Sequence, residues 1–104
     1  MNKKFVGTGV ALITPFNKDL SVDHKSLENI VEHNISNGTD YLVISGTTGE
    51  SVTITTSEKT DIINTISNVN KGRLPLVLGI GGNNTAEVIS EIEHTNLSNI
   101  DAIL

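Results

Sequence analysis

Two adjacent threonines flanked by glycines are the residues of this sequence best suited to binding a small anion. They lie in segment 46–51, Gly-Thr-Thr-Gly-Glu-Ser, which directly follows a run of apolar residues. The glycines allow the backbone to approach a ligand, and the hydroxyl and amide groups can bind a carboxylate or phosphate. A threonine-rich turn without a ligand is the alternative interpretation. No lysine follows the second glycine, so the segment is not a Walker A loop.

Two further segments follow apolar runs. Segment 79–84, Gly-Ile-Gly-Gly-Asn-Asn, resembles a dinucleotide-binding fingerprint, but Asn84 stands where the last glycine is needed. We interpret it as a glycine-rich turn that leads into a helix capped by Asn84, with anion binding at that helix start left open. Segment 14–19, Thr-Pro-Phe-Asn-Lys-Asp, is typical of a turn because its proline ends the preceding strand.

Nucleophiles and metal ligands are scarce. The six lysines lie in polar flanks of the predicted elements, not inside a strand where burial would lower the pKa of an amine. The only tyrosine, Tyr41, precedes Thr47 by six residues, roughly 20 Å along a strand, and is therefore too far to serve it. His24, His33 and His94 lack metal-ligand spacing, so we expect no metal site, and we expect His33 to be partly buried.

Apolar patterning predicts the elements that position these segments. The runs 10–14, 41–45, 76–78 and 102–104 do not alternate with polar residues, which is typical of parallel strands covered on both faces. Helical periodicity between them predicts three helices that begin near Asp23, Thr55 and Asn84. Their predicted apolar faces are Leu27, Ile30, Val31 and Ile35, then Ile62, Ile63, Ile66 and Val69, then Val88, Ile89, Ile92 and Leu97.

The order of elements predicts an α/β fold with a parallel sheet and right-handed crossovers. Two architectures fit: a doubly wound sheet of four strands, or the N-terminal part of a (β/α)8 TIM barrel, comprising three βα units plus a fourth strand. A complete barrel needs about 250 residues, so on the second reading residues 1–104 are an incomplete barrel domain. In both architectures sites form at the carboxyl ends of the strands, which is where segment 46–51 falls.

Composition narrows the classes of function. Seven basic residues against 12 acidic ones give a net charge of −5, which argues against a nucleic-acid or anionic-membrane surface. The sequence contains no cysteine, which excludes disulfides and a thiol nucleophile. No apolar run approaches the roughly 20 residues needed to span a bilayer. The apolar stretch after Lys3 and Lys4 is interrupted by glycines and lacks a cleavage site, so we expect a cytoplasmic protein.

Two motifs resemble one enzyme family. Segment 7–16, Gly-Thr-Gly-Val-Ala-Leu-Ile-Thr-Pro-Phe, followed by segment 46–51, is similar to the start of the dihydrodipicolinate synthases. These enzymes belong to the pyruvate-dependent class I aldolases, which include N-acetylneuraminate lyase. The resemblance extends over the whole chain, and Thr47 together with Val52 and Thr53 favours the synthases over the lyases.

The resemblance implies a full-length (β/α)8 barrel, usually a homotetramer. Such an enzyme condenses pyruvate with aspartate semialdehyde in lysine and diaminopimelate biosynthesis. It does so through a Schiff base on a lysine and needs no metal or organic cofactor. By position, Thr47 matches the catalytic hydroxyl that relays protons between two tyrosines, and Thr48 matches the residue that binds the pyruvate carboxylate together with nearby amides such as that of Gly46.

The resemblance also implies an allosteric site at which lysine acts as a feedback inhibitor. Ser51, Asn83 and Glu87 match positions of that site. Thr56 and Lys59 stand where some members have histidines. Because a cationic Lys59 would disfavour a lysine effector, we do not expect feedback inhibition here.

The Schiff-base lysine and the two catalytic tyrosines have no counterpart among these 104 residues. We therefore expect the chain by itself to be inactive. Two other functions stay open from the sequence. One is another pyruvate-dependent aldolase that acts on a sugar acid. The other is an α/β module that binds a small anion and catalyses nothing.

Overall fold

A computed structural model describes residues 3–104, which contain four parallel strands and three α-helices. The strands are β1 (Gly9–Ala11), β2 (Tyr41–Ile44), β3 (Leu76–Leu78) and β4 (Ala102–Ile103), and the helices are α1 (His24–Ser36), α2 (Thr56–Asn70) and α3 (Thr85–His94). Short 3-10 turns occupy Lys3–Phe5 and Ser51–Thr53. The predicted order of elements is therefore confirmed.

The helices begin where their capping residues predict. The Asp23 carboxylate accepts the amide of Ser26 ahead of α1. Thr55 and Glu58 form the predicted capping box of α2. Asn84 accepts amides of the first turn of α3. These side chains satisfy backbone donors that have no partner within the helix.

The first strand is shifted from its predicted position. Residues 10–14 were expected to be extended, but β1 starts at Gly9 and ends at Ala11. Beyond it, the Leu12 amide still donates to the Val43 carbonyl at 3.0 Å, and the side chain of Thr14 then bonds the loop that follows β2. The ladder bonding therefore continues to Leu12, and the chain leaves it before Pro15.

The sheet has the strand order β1-β2-β3-β4, with every neighbouring pair parallel. Successive strand residues point to opposite faces of the sheet. Helices α1 and α2 pack on the face that carries Leu42, Ile44, Leu76 and Leu78. That face and those helices contribute the fully buried side chains Leu42, Ile44, Leu76, Leu78, Leu27, Val31, Ile62 and Ile66. A sequential order with helices on one face is the arrangement of a (β/α)8 barrel, whereas a doubly wound sheet has helices on both faces.

The opposite face of the sheet carries Ala11, Val43, Val77 and Ala102, which the register places side by side. Ala11 is exposed, and Val43 and Ala102 are only partly buried. Val77, on the same face, is buried, so within residues 3–104 this face is covered in part. The apolar runs are continuous because this face is also apolar, as in the interior of a barrel. The fold is three βα units plus a fourth strand of that architecture.

Helix α3 packs less tightly than its periodicity predicts. Val88 and Ile92 contact the core, but Ile89 was expected on the same face and is 52% exposed. It lies about 100° around the helix from Val88, outside the contact. His33 is exposed rather than partly buried, because it lies on the outer side of α1. None of the helices in residues 3–104 combines the length and apolar character needed to cross a bilayer.

Candidate functional site

The 46–51 loop leaves the carboxyl end of β2, as predicted. Ser45 turns the chain out of the strand with a left-handed φ of 52°. Two successive turns then follow, because the Gly49 amide donates to the Gly46 carbonyl and the Glu50 amide donates to the Thr47 carbonyl, each at 3.0 Å. The loop is thus a compact, hydrogen-bonded structure at the edge where parallel α/β folds bind ligands.

Thr14 anchors this loop to the end of β1. Its Oγ1 donates to the Gly49 carbonyl at 2.7 Å in a buried hydrogen bond. A Cβ on Gly49 would lie 3.1 Å from the Leu12 carbonyl oxygen, so the glycine permits this close approach. The sequence predicts Thr14 as the last residue of the first strand and the first of the turn 14–19, with no contact to the 46–51 loop. The signal that could have identified it is a threonine that ends an apolar run directly before a proline.

Gly79 brings the carboxyl end of β3 against the same loop. Its amide donates to the Ile44 carbonyl at 2.8 Å. A Cβ at this position would lie 2.5 Å from the Ser45 carbonyl oxygen and 3.1 Å from Gly46 Cα. The first glycine of the 79–84 segment is therefore explained by backbone packing between neighbouring strand ends.

A cavity of about 490 Å³ opens between these two strand ends and the adjoining helices. Gly46, Thr47 and Ser51 line it from one side, and Lys59 and Glu91 line it from the helices. Thr48 is exposed and lies outside this lining. The structure thus brings Gly46 and Thr47 to one cavity, and Thr48 is not among the residues that line it.

Lys59, at this site, is more buried than its polar sequence neighbourhood predicts. It was assigned to a polar flank, but its side chain is only 15% exposed. Its Nζ donates to the Gly79 carbonyl at 2.9 Å and lies 2.5 Å from Glu91 Oε1. Glu91 is therefore the partner of a mostly buried cation. The two residues meet because α2 lies beside α3. Local spacing in the sequence does not predict this contact, since they are 32 residues apart.

The three residues implied for lysine feedback do not share one cavity. Ser51 lines the 490 Å³ cavity, whereas Glu87 lines an adjoining cavity of about 480 Å³. Asn83 is exposed and contributes to neither lining. Thr56, Lys59 and Glu91 line both cavities.

Tyr41 lies at the other edge of the sheet, as its position in the sequence predicts. It begins β2, and its ring contacts Phe5 edge-on, with centroids 5.7 Å apart. His24 contacts Thr65 Oγ1 at 2.7 Å, which links α1 to α2 and is a packing role. Within residues 3–104, no group of three or more histidine or carboxylate side chains is placed to hold a metal ion.

The carboxyl groups with altered pKa values lie in turns, helix caps and ion pairs outside the cavity. The amide and hydroxyl of Ser26 lower the pKa of Asp23, which caps α1. Lys4, followed by the amide of Leu76, lowers the pKa of Asp101 at the start of β4. Hydrogen bonding favours the charged carboxylate in both cases. These groups are therefore part of the framework that holds the elements in place.

The chain is similar to known enzymes along its whole length. A 4-hydroxy-tetrahydrodipicolinate synthase from Flavobacterium psychrophilum is 54% identical over 100 residues, which covers 96% of this chain and 34% of the relative. The structure of dihydrodipicolinate synthase from Aquifex aeolicus matches with a TM-score of 0.84 and 38% identity, covering 93% of this chain and 33% of that one.

N-acetylneuraminate lyase from Proteus mirabilis has the same fold. Its structure matches with a TM-score of 0.86 and 27% identity over 96% of this chain and 34% of that one. The chain therefore spans about a third of the length of each of these relatives. Residues 4–104 match the model of the Dihydrodipicolinate synthetase family. Together with the barrel topology and the loop after β2, that match shows that this chain belongs to the dihydrodipicolinate synthetase family.

Proposed function

We propose that the protein carrying this chain condenses pyruvate with aspartate semialdehyde in the biosynthesis of lysine and diaminopimelate. The observation that carries the proposal is the 54% identity to a relative named 4-hydroxy-tetrahydrodipicolinate synthase, over 96% of this chain. The reaction passes through a Schiff base between pyruvate and a lysine that lies outside these 104 residues. The chain's own contribution is the 46–51 loop at the carboxyl edge of the sheet.

Thr47 is the proposed proton relay. A threonine hydroxyl titrates far too high to act as a base by itself, but it can accept one hydrogen bond while donating another. The side of Thr47 that lines the cavity is open to partners from the rest of the protein. Two tyrosines from later segments would complete the relay. The hydrogen bond from the Glu50 amide to the Thr47 carbonyl holds the backbone of the relay residue in place.

Gly46 and Thr48 are the proposed binding residues for the pyruvate carboxylate. The hydroxyl of Thr48 and the amides of the loop are donors of the type that a carboxylate requires. Thr48 is exposed, so its hydroxyl is available to a ligand. Because Thr47 lines the cavity and Thr48 does not, we assign the proton relay to one residue and substrate binding to the other.

Substitutions in the full-length protein test these roles. Thr47→Val should lower kcat by about 100-fold, the lower range for loss of a general acid–base group, and Thr47→Ser should retain most of the activity. Thr48→Val should mainly raise KM for pyruvate. Full turnover by the Thr47→Val variant would contradict the relay. Cleavage of N-acetylneuraminate without condensation of aspartate semialdehyde would instead favour the related lyase.

The 104-residue chain should form no covalent adduct when it is incubated with pyruvate and borohydride. Trapping needs a nucleophilic lysine, and Lys59, the lysine at the cavity, is paired with Glu91. The full-length protein is the positive control. A stable pyruvate adduct on a lysine of this chain, found by mass spectrometry, would show that the Schiff-base lysine was assigned wrongly.

We further propose a cytoplasmic homotetramer that lysine does not inhibit. Lys59 lines both the cavity of Ser51 and that of Glu87, and its ammonium group disfavours the cationic side chain of a lysine effector there. Adding lysine to the full-length enzyme should leave its rate unchanged. Half-maximal inhibition at millimolar lysine would show that Ser51, Asn83 and Glu87 still form an effector site. Sedimentation of the full-length protein would establish the number of subunits.

A further inference from the structure

Lys59 joins three elements of the fold at one atom. It lies on α2, its Nζ donates to the Gly79 carbonyl that follows β3, and the same atom pairs with Glu91 on α3. The side chain of Lys59 is mostly buried, and that of Glu91 is 35% exposed. An ammonium group has three donors, so two of them are accounted for by these contacts.

Gly79 packs directly against the start of the 46–51 loop. Its amide is bonded to the Ile44 carbonyl, and it lies too close to Ser45 and Gly46 to accommodate even a Cβ. Close-packed backbone segments move together, because there is no free space between them. A displacement of the Gly79 carbonyl would therefore displace the turn that begins the loop.

The turn at Ser45 depends on such external support. Ser45 has a left-handed backbone, which is strained for a residue with a side chain. Its Oγ is buried and forms no hydrogen bond within the described residues, so the side chain does not fix the turn. Packing against Gly79 helps to hold it, together with the close approach of Gly49 to Ser45 Cα.

We propose that Lys59 and Glu91 are positioning residues for Thr47, acting through the Gly79 carbonyl. The ion pair fixes Gly79, Gly79 fixes the turn at Ser45, and the turn presents Thr47 to the cavity. This proposal deepens the proposed function, and its kinetic consequences rest on that function. Its structural consequence, a less ordered 46–51 loop, does not.

The test uses the full-length protein and four variants. Lys59→Met removes the ammonium group, and Lys59→Arg retains a cationic donor. Lys59→Met combined with Glu91→Leu removes both charges, so that no buried carboxylate is left unpaired. Lys25→Met is the matched control, because Lys25 also pairs with a glutamate on a helix but is 81% exposed and distant from the loop.

Hydrogen exchange of the Gly49, Glu50 and Gly79 amides is the first measurement, since each donates within or next to the loop. In Lys59→Met and in the double variant these amides should exchange about tenfold faster. Turnover should fall about tenfold, with a smaller change in KM for pyruvate, because misplacing a relay residue lowers kcat. Lys59→Arg should restore most of both properties, and Lys25→Met should leave both unchanged.

Unchanged exchange of the three amides in both Lys59→Met and the double variant would overturn the proposal. If Lys59→Met does not fold, the double variant decides the matter alone. If the full-length protein lacks synthase activity, the proposed function fails. The exchange measurement still tests the positioning role in that case. Faster exchange with unchanged turnover would show that Lys59 orders the loop without positioning Thr47, and would also overturn the proposal.

Discussion

The two edges of the sheet are built from different kinds of contact. At the carboxyl edge, glycines bring backbone against backbone, Ser45 has a strained φ, and its hydroxyl is buried without a partner. At the amino edge, side chains make the contacts: Tyr41 packs on Phe5, and Asp101 accepts the Leu76 amide at 2.9 Å. Each edge has a left-handed residue next to an element end, Ser45 or Lys71, and a buried hydroxyl without a partner among the described residues, Ser45 or Ser67. The two edges therefore differ in their contacts, which are backbone to backbone only around the candidate site.

Asn70, at the amino edge, is a buried polar group that the fold itself satisfies. Asn70 is 2% exposed at the end of α2. Its side chain both donates to the Leu74 carbonyl at 2.8 Å and accepts the Leu74 amide at 3.0 Å. In barrel enzymes the amino face serves stability and the carboxyl face carries the chemistry. The comparison predicts that substitutions at the two edges will separate stability from activity.

Gly79→Ala should have the largest effect. The new Cβ would meet the Ser45 carbonyl oxygen at 2.5 Å, which is backbone and cannot rotate away. We expect a loss of about 2–3 kcal/mol in the free energy of unfolding, typical of severe overpacking, together with a loss of activity. Denaturant titration of the full-length protein measures the first and the condensation assay the second.

Gly81→Ala is the matched control for that substitution. A Cβ on Gly81 meets no atom of the described residues within 4 Å. Its free energy of unfolding should stay close to that of the unsubstituted protein. Equal destabilisation by the two alanines would show that backbone flexibility, rather than the contact with Ser45, requires glycine in this segment.

Thr14→Val should have the next largest effect. It removes the buried hydrogen bond to the Gly49 carbonyl while keeping the shape of the side chain. An unsatisfied buried acceptor costs about 1–3 kcal/mol, and the 46–51 loop should lose order with it. Thr14→Ser keeps the hydroxyl and should recover most of the stability. Thermal unfolding of the full-length variants makes the comparison, and identical melting of Thr14→Val and Thr14→Ser would rule out a role for the hydroxyl.

Ser45→Gly should raise the free energy of unfolding and lower turnover. Glycine relieves the left-handed strain, worth about 1 kcal/mol, and removes a buried hydroxyl without a partner. The added freedom of the turn should lower turnover by presenting Thr47 less well. Lys71→Gly is the matched substitution at the opposite edge. Lys71 is the C-cap residue that follows α2, and it also has a left-handed φ, of 51°.

Lys71→Gly should give a similar gain in the free energy of unfolding, since glycine favours this position after a helix. Its turnover should be unchanged. Denaturant titration and the condensation assay together give both values for each variant. If Ser45→Gly and Lys71→Gly had the same effect on turnover, the strain at Ser45 would have no functional meaning.

The local features of this fold could be predicted from the sequence because local chemistry determines them. The caps at Asp23, Thr55 and Asn84 satisfy nearby amides, so short spacing is enough to identify them. The 46–51 loop could also be placed, because it follows a run that forms a buried strand. The strand order was needed to decide between a doubly wound sheet and a barrel, and hydrophobic periodicity does not predict strand order.

The contacts between elements could not be predicted in the same way. Thr14 meets Gly49 across 35 residues and Lys59 meets Glu91 across 32. A threonine before a proline and a lysine on a polar helix look ordinary until the strand order brings their partners close. The roles of Thr47, Thr48, Ser51, Asn83 and Glu87 stay predictions, since they depend on groups beyond this chain.

The ion pair at the amino edge should give the smallest effect, and one confined to acidic pH. Lys4 and the Leu76 amide lower the pKa of Asp101 below its ordinary value of 3.8. A carboxyl group whose pKa is lower in the folded state stabilises the fold above its unfolded pKa. That stabilisation is lost as the pH falls through the folded pKa. Asp101→Asn keeps an acceptor for the Leu76 amide and removes only the charge.

The free energy of unfolding of Asp101→Asn should therefore depend less steeply on pH below about pH 4. Lys4→Met should flatten the same range, because Lys4 is the leading cause of the lowered pKa. The double variant should add little, since both changes break one interaction. Denaturant titrations at pH 6 and pH 3 measure this, with turnover at pH 7 expected to be unchanged. A loss of turnover in Asp101→Asn would mean that the amino edge also shapes the site, and the division between the two edges would not hold.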